Sequence, residues 1–199
     1  GIAYPQTYEI PTLQQMAGID PAFPVVLKPS MGGGHSALAK AKVMQIDDAS
    51  SFRHVFSEAA KELGAANIVV QELIPGGGES QFSYAAFWFQ NKPVAEFTAQ
   101  RSRQYPVDFG FTSTCVEVAE VPGIIDAARK LLVSVDSSGL VEIEFKCDPR
   151  NGVLNVLDVN PRPWSWFALS TAAGVDLGKI LWVVMNGGKP PVQPPRPAT

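Results

Sequence analysis

The chain has 199 residues, 46% of them apolar and 18% charged, with a formal net charge of −3 at neutral pH. Such a composition suits a globular core, built as one domain or two small lobes. It holds no basic stripe to track a phosphate backbone, no apolar run long enough to span a bilayer and no signal peptide, which argues against nucleic acid and membrane as partners. The two cysteines, Cys115 and Cys147, stand apart with neither metal-type spacing nor a disulfide framework, as expected in a reducing cytoplasm. The chain opens at Gly1 without an initiator Met, which reads as a processed chain or a piece of a longer one.

In chain order, Thr12 is a candidate cap for a short helix to Ala17. Phe23 to Lys28 reads as a buried strand, Pro29 to Ser36 as a glycine-rich loop and Lys42 to Ile46 as the returning strand. Asp47 and Asp48 offer an N-cap for a helix from Ala49 to Leu63, with Phe52, Val55, Phe56, Ala59, Ala60 and Leu63 at helical spacing and Gly64 as its stop. A strand from Ile68 to Leu73 runs into Ile74-Pro75-Gly76-Gly77-Gly78. Long β segments at Gln81 to Gln90 and Val94 to Arg103 are joined by a turn at Asn91-Lys92-Pro93, and another strand spans Ser113 to Glu120. Pro122 opens a helix to Val135, and helical stretches are predicted over Trp164 to Ala173 and Leu177 to Met185. The order of elements predicts an α+β fold of two lobes: residues 1–70, residues 71–187, then a Pro-rich tail at 188–199 without fixed structure.

Two short segments carry the densest chemistry. Val141-Glu142-Ile143-Glu144-Phe145-Lys146 and Leu157-Asp158-Val159-Asn160 flank a run of turn formers, Asp148 to Gly152, so a hairpin is predicted. Alternation puts Ile143 and Phe145 on one face, and Glu142, Glu144 and Lys146 on the other. If Asp148 lies across from Leu154, Glu144 falls opposite Asp158 and Glu142 opposite Asn160. Opposed like charges destabilise a sheet, so a hard cation with oxygen ligands, Mg²⁺ or Mn²⁺, is one reading of that face. A solvated acidic face is the other.

Three further stretches have two readings each. Lys28-Pro29-Ser30-Met31-Gly32-Gly33-Gly34-His35-Ser36 places a lysine at a strand end before glycines that let backbone amides approach an anion. It is not a Walker A loop, since no Gly-Lys-Ser/Thr follows, and a plain hairpin loop has the same pattern. Gln71-Glu72-Leu73 ends a strand in an open connection, where exposed backbone groups can read a base edge and an acid nearby can hold ribose hydroxyls; a simple hinge fits as well. Arg101 and Arg103 alternate along a strand, either as a fork for phosphate or carboxylate or as solvated arginines.

Taken in this order, the lysine–glycine loop at Lys28 to Ser36, Gln71 to Gly76, Glu144-Phe145 and Asp158-Val159-Asn160-Pro161-Arg162 resemble the ATP-grasp superfamily. The similarity runs from about Ile10 to Met185. It is nearest to the carboxylate–amine ligases described as like the carbamoyl-phosphate synthase large subunit, and to D-aspartate ligases. The resemblance implies two α+β lobes with antiparallel sheets that enclose a nucleotide. Lys28 and the loop of Gly32, Gly33 and Gly34 would hold its phosphates, Gln71, Glu72 and Leu73 its adenine, and Glu79 or Glu72 its ribose. Glu144, Asp158 and Asn160 would ligate Mg²⁺, with Asp158 standing where many relatives have Glu. Glu142 would stand behind these ligands or toward the substrate. Arg162, with Arg103 and Arg101, would stabilise the transferring phosphoryl group.

The implied activity is an ATP-dependent ligase that joins a small-molecule carboxylate to an amine through an acyl phosphate, or the core of one. The implied setting is the cytoplasm, with an upstream N-terminal domain that this chain lacks and a homodimer as an option. A non-catalytic ATP-binding module is the alternative. Trp164 and Trp166 either line the acceptor pocket or belong to the core.

Overall fold

The computed structural model describes residues 1–30, 38, 43–105 and 112–189. The loop glycines Gly32, Gly33 and Gly34, the histidine His35 and residues 190–199 of the tail lie outside the described residues. The chain divides into two compact units, one of Pro5–Ile74 and one of Gly1–Tyr4 with Pro75–Thr199.

The first unit is a four-stranded antiparallel sheet with one long helix. Its elements are β1 (Thr7–Tyr8), α1 (Leu13–Met16), β2 (Val25–Pro29), β3 (Met44–Ile46), α2 (Ala49–Leu63) and β4 (Ile68–Glu72), with the strands ordered β1-β4-β2-β3. Local chemistry sets the helix ends. The Thr12 side chain accepts from the Gln15 amide, and the Asp48 carboxylate accepts from the Ser50 and Ser51 amides, satisfying donors that the first turn leaves without partners. Gly64, at φ +82°, closes α2 as the sequence predicts. Phe52, Phe56 and Ala59 recur on one side of α2 and pack with Val25, Leu27, Ile46, Ile68 and Val70 of the sheet to form the core.

The second unit is a five-stranded antiparallel sheet in the order β7-β6-β5-β8-β9. Its elements are β5 (Gln81–Phe89), β6 (Lys92–Tyr105), β7 (Thr112–Val118), α3 (Ile124–Ser134), β8 (Gly139–Cys147), β9 (Leu154–Asn160), α4 (Leu169–Ala172) and α5 (Leu177–Met185). The β5–β6 turn falls at Gln90-Asn91, both at positive φ, rather than at Asn91-Lys92-Pro93. That is the backbone of a tight two-residue hairpin turn, and Pro93 enters the strand beside a bulge. The predicted helix from Trp164 is shorter than expected: only Leu169–Ala172 is α-helical, and Trp164 to Ala168 form turns in which Trp164 packs edge-on against Phe167 and tilted against Trp166.

Both faces of this sheet are used. Tyr84, Ala86, Trp88, Val141, Ile143 and Phe145 point to one face and pack under Ile124, Ala128 and Leu132 of α3. On the other face, Ala85, Phe87, Ala95 and Phe97 are covered by Trp164, Leu177 and Ile180. That second cover stops partway along the strands. Beyond it, the same face carries polar and charged side chains.

A candidate metal and nucleotide face

The polar end of this face is set by strand register. Glu142 pairs with Asn160 and Glu144 with Asp158 across β8 and β9, while Ser83 of β5 pairs with Glu144 from the other side. Directly paired residues share a face, so Ser83, Glu142, Glu144, Asp158 and Asn160 converge. The turn is not the one the sequence suggests. Cys147, not Asp148, lies across from Leu154, so the lower hairpin is offset by one residue. A register shift between Glu144 and Phe145 leaves Leu157 as an extra residue, and this bulge restores the pairing of the carboxylates.

The two glutamates have different environments. Glu142 is 1% exposed; its Oε1 accepts from Ser83 Oγ at 2.7 Å and its Oε2 from Asn160 Nδ2 at 2.8 Å. Burial and the neighbouring Glu144 charge push its carboxyl up to about 7, against the pull of those two donors. Glu144 reaches toward solvent, its side chain 28% exposed, and Oε1 lies 3.4 Å from Arg101 Nη2. Arg101 also donates to Gln81 Oε1 at 2.7 Å and Gln104 Oε1 at 3.3 Å. Asp158 is exposed. Asn160, with its Nδ2 committed to Glu142, turns Oδ1 outward, where Arg162 Nη2 donates at 2.9 Å.

Glu144, Asp158, Asn160, Arg101 and Arg162 therefore belong to one connected polar surface. Arg103 does not join it. The β6–β7 register shifts on both sides of Arg103, simple alternation fails there, and its exposed side chain makes no hydrogen bond among the described residues. Among the described residues no group of three or more His, Cys, Asp or Glu side chains is assembled as a metal cage. The donor set on this face is two carboxylates and an amide oxygen, hard ligands that suit Mg²⁺ as it keeps several of its own waters.

At one margin of this face, Pro75 to Ser80 form a glycine turn. Gly76 sits at φ +98°, and a Cβ there would collide with Ser80 Oγ. The Glu79 carboxylate accepts from the Gly77 amide at 2.9 Å, and backbone hydrogen bonds hold it below its ordinary range. Lys146, opposite Gln81 and Asn155, is 7% exposed. Burial lowers its ammonium pKa, with Glu79 pulling the other way. Alternation places Lys146 on this face, but its burial was not legible in the sequence, because the covering turn lies about seventy residues away in the chain.

In the first unit, Lys28 is half-buried and opposite Val69, one residue before the end of β2. The end of β4 is less open than expected. The amides of Glu72 and Leu73 donate to Gln6 and Pro24 carbonyls at 2.8 and 3.2 Å, because β4 lies between β1 and β2. Gln71 Nε2 donates to Thr7 Oγ1 at 3.0 Å, while its buried Oε1 has no partner among the described residues.

The sequence matches no protein-family model and no curated protein. Solved structures do match. D-alanine–D-alanine ligase from Bacillus anthracis is 18% identical with TM-score 0.63 over 94% of this chain and 61% of its own. N5-carboxyaminoimidazole synthetase from Staphylococcus aureus is 13% identical with TM-score 0.66 over 96% and 48%. The ATP-grasp ligase PsnB, solved with a minimal precursor, Mg and ADP, is 15% identical with TM-score 0.56 over 94% and 54%. The chain thus has the ATP-grasp fold, and spans about half to three fifths of these three proteins. Among the described residues no helix is long and apolar enough to cross a membrane.

Proposed function

We propose that this chain is the ATP-binding core of a cytoplasmic, Mg²⁺-dependent ligase that joins a small-molecule carboxylate to an amine through an acyl phosphate. The observation that carries the reading is the Glu144–Asp158 pair, two carboxylates set opposite each other beside an outward amide oxygen. Glu144, Asp158 and Asn160 would hold Mg²⁺. The bound ion supplies charge neutralisation to the phosphates.

This chain's own residues do the rest by position and charge. Glu142 fixes the Asn160 amide so that Oδ1 faces outward. Arg101, tethered by Gln81 and Gln104, holds Glu144 in place and places a guanidinium beside it. Arg162 offers a second cation at Asn160, suited to the charge that builds on a transferring phosphoryl group. Arg103 is a further candidate for the same work. Lys28 and the glycines Gly32, Gly33 and Gly34 are assigned to the phosphates, Gln71, Glu72 and Leu73 to adenine, and Glu79 or Glu72 to ribose. Attack of the substrate carboxylate on the γ-phosphate gives ADP and the acyl phosphate. The amine then displaces phosphate and leaves the amide. Because the chain spans only part of its structural neighbours, a second reading is an ATP-binding module that needs a partner domain for turnover.

Calorimetry with ATP, with and without Mg²⁺, tests the reading. Wild type should bind ATP more tightly with Mg²⁺, and Glu144→Ala with Asp158→Ala should remove that gain. In phosphate release, a single metal carboxylate should account for about 10²–10³ in rate. Absence of binding at millimolar nucleotide, or an unchanged Mg²⁺ effect in the double variant, overturns the assignment. Binding without phosphate release across carboxylates and amines favours the module.

A further inference from the structure

Among the described residues of the second unit, three charged side chains are buried below one tenth exposure: Glu142, Lys146 and Asp148. Glu142 is hydrogen-bonded by Ser83 and Asn160, and Asp148 by the backbone and guanidinium of Arg150. Lys146 differs. Among the described residues it donates no hydrogen bond and has no carboxylate at ion-pair distance, although Glu79 lies near enough to be felt. A lysine covered this far, with no acceptor for its ammonium among the described residues, is costly to keep, and a well-packed apolar side chain in its place would be cheaper. Such a group persists where a ligand completes it.

Its position says which ligand group. Lys146 is two residues from Glu144 on the same face of β8, a separation of about 7 Å along a strand. Its stem runs beneath the glycine turn, with Cε 3.9 Å from where a Cβ on Gly76 would stand. Glu79, the acid assigned to ribose, belongs to that turn. Lys146 thus lies between the carboxylates assigned to the metal-bridged phosphates and the turn assigned to the sugar.

We propose that Lys146 is a nucleotide-binding residue whose ammonium donates to the phosphate nearest the ribose, the α-phosphate. The proposal rests on the nucleotide reading of this face. It adds a contact from a strand face that otherwise presents carboxylates. The α-phosphate is the only phosphate shared by ATP, ADP and AMP, so the contact serves all three and is indifferent to Mg²⁺ at Glu144.

Binding of ATP, ADP, AMP and adenosine to the full chain, measured in wild type and Lys146→Met with thermal melts of both, tests the proposal. Met keeps the length of the buried stem and removes the charge. The expected result is a loss of about tenfold to a hundredfold in affinity for each nucleotide, the size of one charge-assisted hydrogen bond. Adenosine affinity should be unchanged, and the melting temperature equal or higher. Lys146→Arg should retain part of the nucleotide affinity. A lower melting temperature with unaltered nucleotide affinity makes Lys146 structural and overturns the proposal. An equal loss for adenosine moves the contact to the nucleoside and overturns it as well. Wild type that binds no adenine nucleotide overturns the nucleotide reading and this proposal together, whereas wild type that binds ATP as tightly as Lys146→Met overturns this proposal alone.

Discussion

The five-stranded sheet carries an arginine–glutamate pair on each face, and the two pairs are built differently. Under α3, Glu96 accepts from Arg129 Nε at 3.1 Å, from Arg129 Nη2 and from the Tyr84 hydroxyl at 2.6 Å, while Trp88 Nε1 donates to that same hydroxyl at 2.9 Å. Both carboxylate oxygens are engaged, and the buried Tyr84 phenol is pushed well above its usual range by burial and by Glu96. On the open face, Glu144 meets Arg101 once, at 3.4 Å, with its side chain 28% exposed. A saturated pair fastens a helix to a sheet. An unsaturated pair leaves lone pairs for something else to use, so counting salt bridges would treat as equal two pairs that do different jobs.

The largest stability effect should come from breaking the closed pair. Glu96→Ala leaves Arg129 without its partner and the buried Tyr84 hydroxyl without an acceptor. The expected loss is about 3 kcal/mol, or about 6–12 °C in melting temperature for a chain of this size. Glu144→Ala should cost on the order of 1 kcal/mol or less, because Arg101 keeps Gln81 and Gln104. Thermal melts of the two variants side by side check the contrast, and equal losses would erase the distinction between the faces.

A smaller effect should come from the turn at the margin of the open face. Gly76→Ala forces a side chain into positive φ and against Ser80 Oγ. The backbone alone should cost about 1–2 kcal/mol. Gly76→Ala with Ser80→Ala should recover the steric share and keep the backbone share. Melts that show full recovery in the double variant would mean that the glycine is needed for room and not for its conformation.

The sequence foretold this fold where the signal was local. Asp48 and Gly64 bracket α2 because capping and helix termination are decided within a turn of the chain. The Glu144–Asp158 pairing was legible by alternation, yet through a turn placed one residue off, which the bulge at Leu157 corrected. Bulges are tertiary accommodations and leave no mark in a period-two pattern. The same cause breaks the alternation between Arg101 and Arg103. The stretch from Trp164 reads as helical by composition, but its aromatic rings pack on one another and on Phe97, which favours turns. The closed end of β4 and the burial of Lys146 both depend on partners distant in sequence, Gln6 and Gly76 among them.

The smallest effect has the opposite sign and uses pH. Glu142 is a carboxyl whose folded value, about 7, lies above its ordinary one of 4.5. The folded state therefore holds a proton that the unfolded chain releases. Below the unfolded value both states are protonated and Glu142 costs nothing. As pH rises from about 4.5 through about 7, the unfolded chain ionises first, and the folded state must bury a charge beside Glu144. Stability falls across that window and stays lower above it. Ser83 and Asn160 donate to the ionised form and Arg101 attracts it, so the penalty is moderated without being removed. Glu142→Gln mimics the protonated carboxyl at every pH. Its melting temperature should match wild type near pH 4 and exceed it near pH 8, with the curves parting between. Curves that stay parallel from pH 4 to pH 8 would show that Ser83 and Asn160 offset the burial of the charge in full.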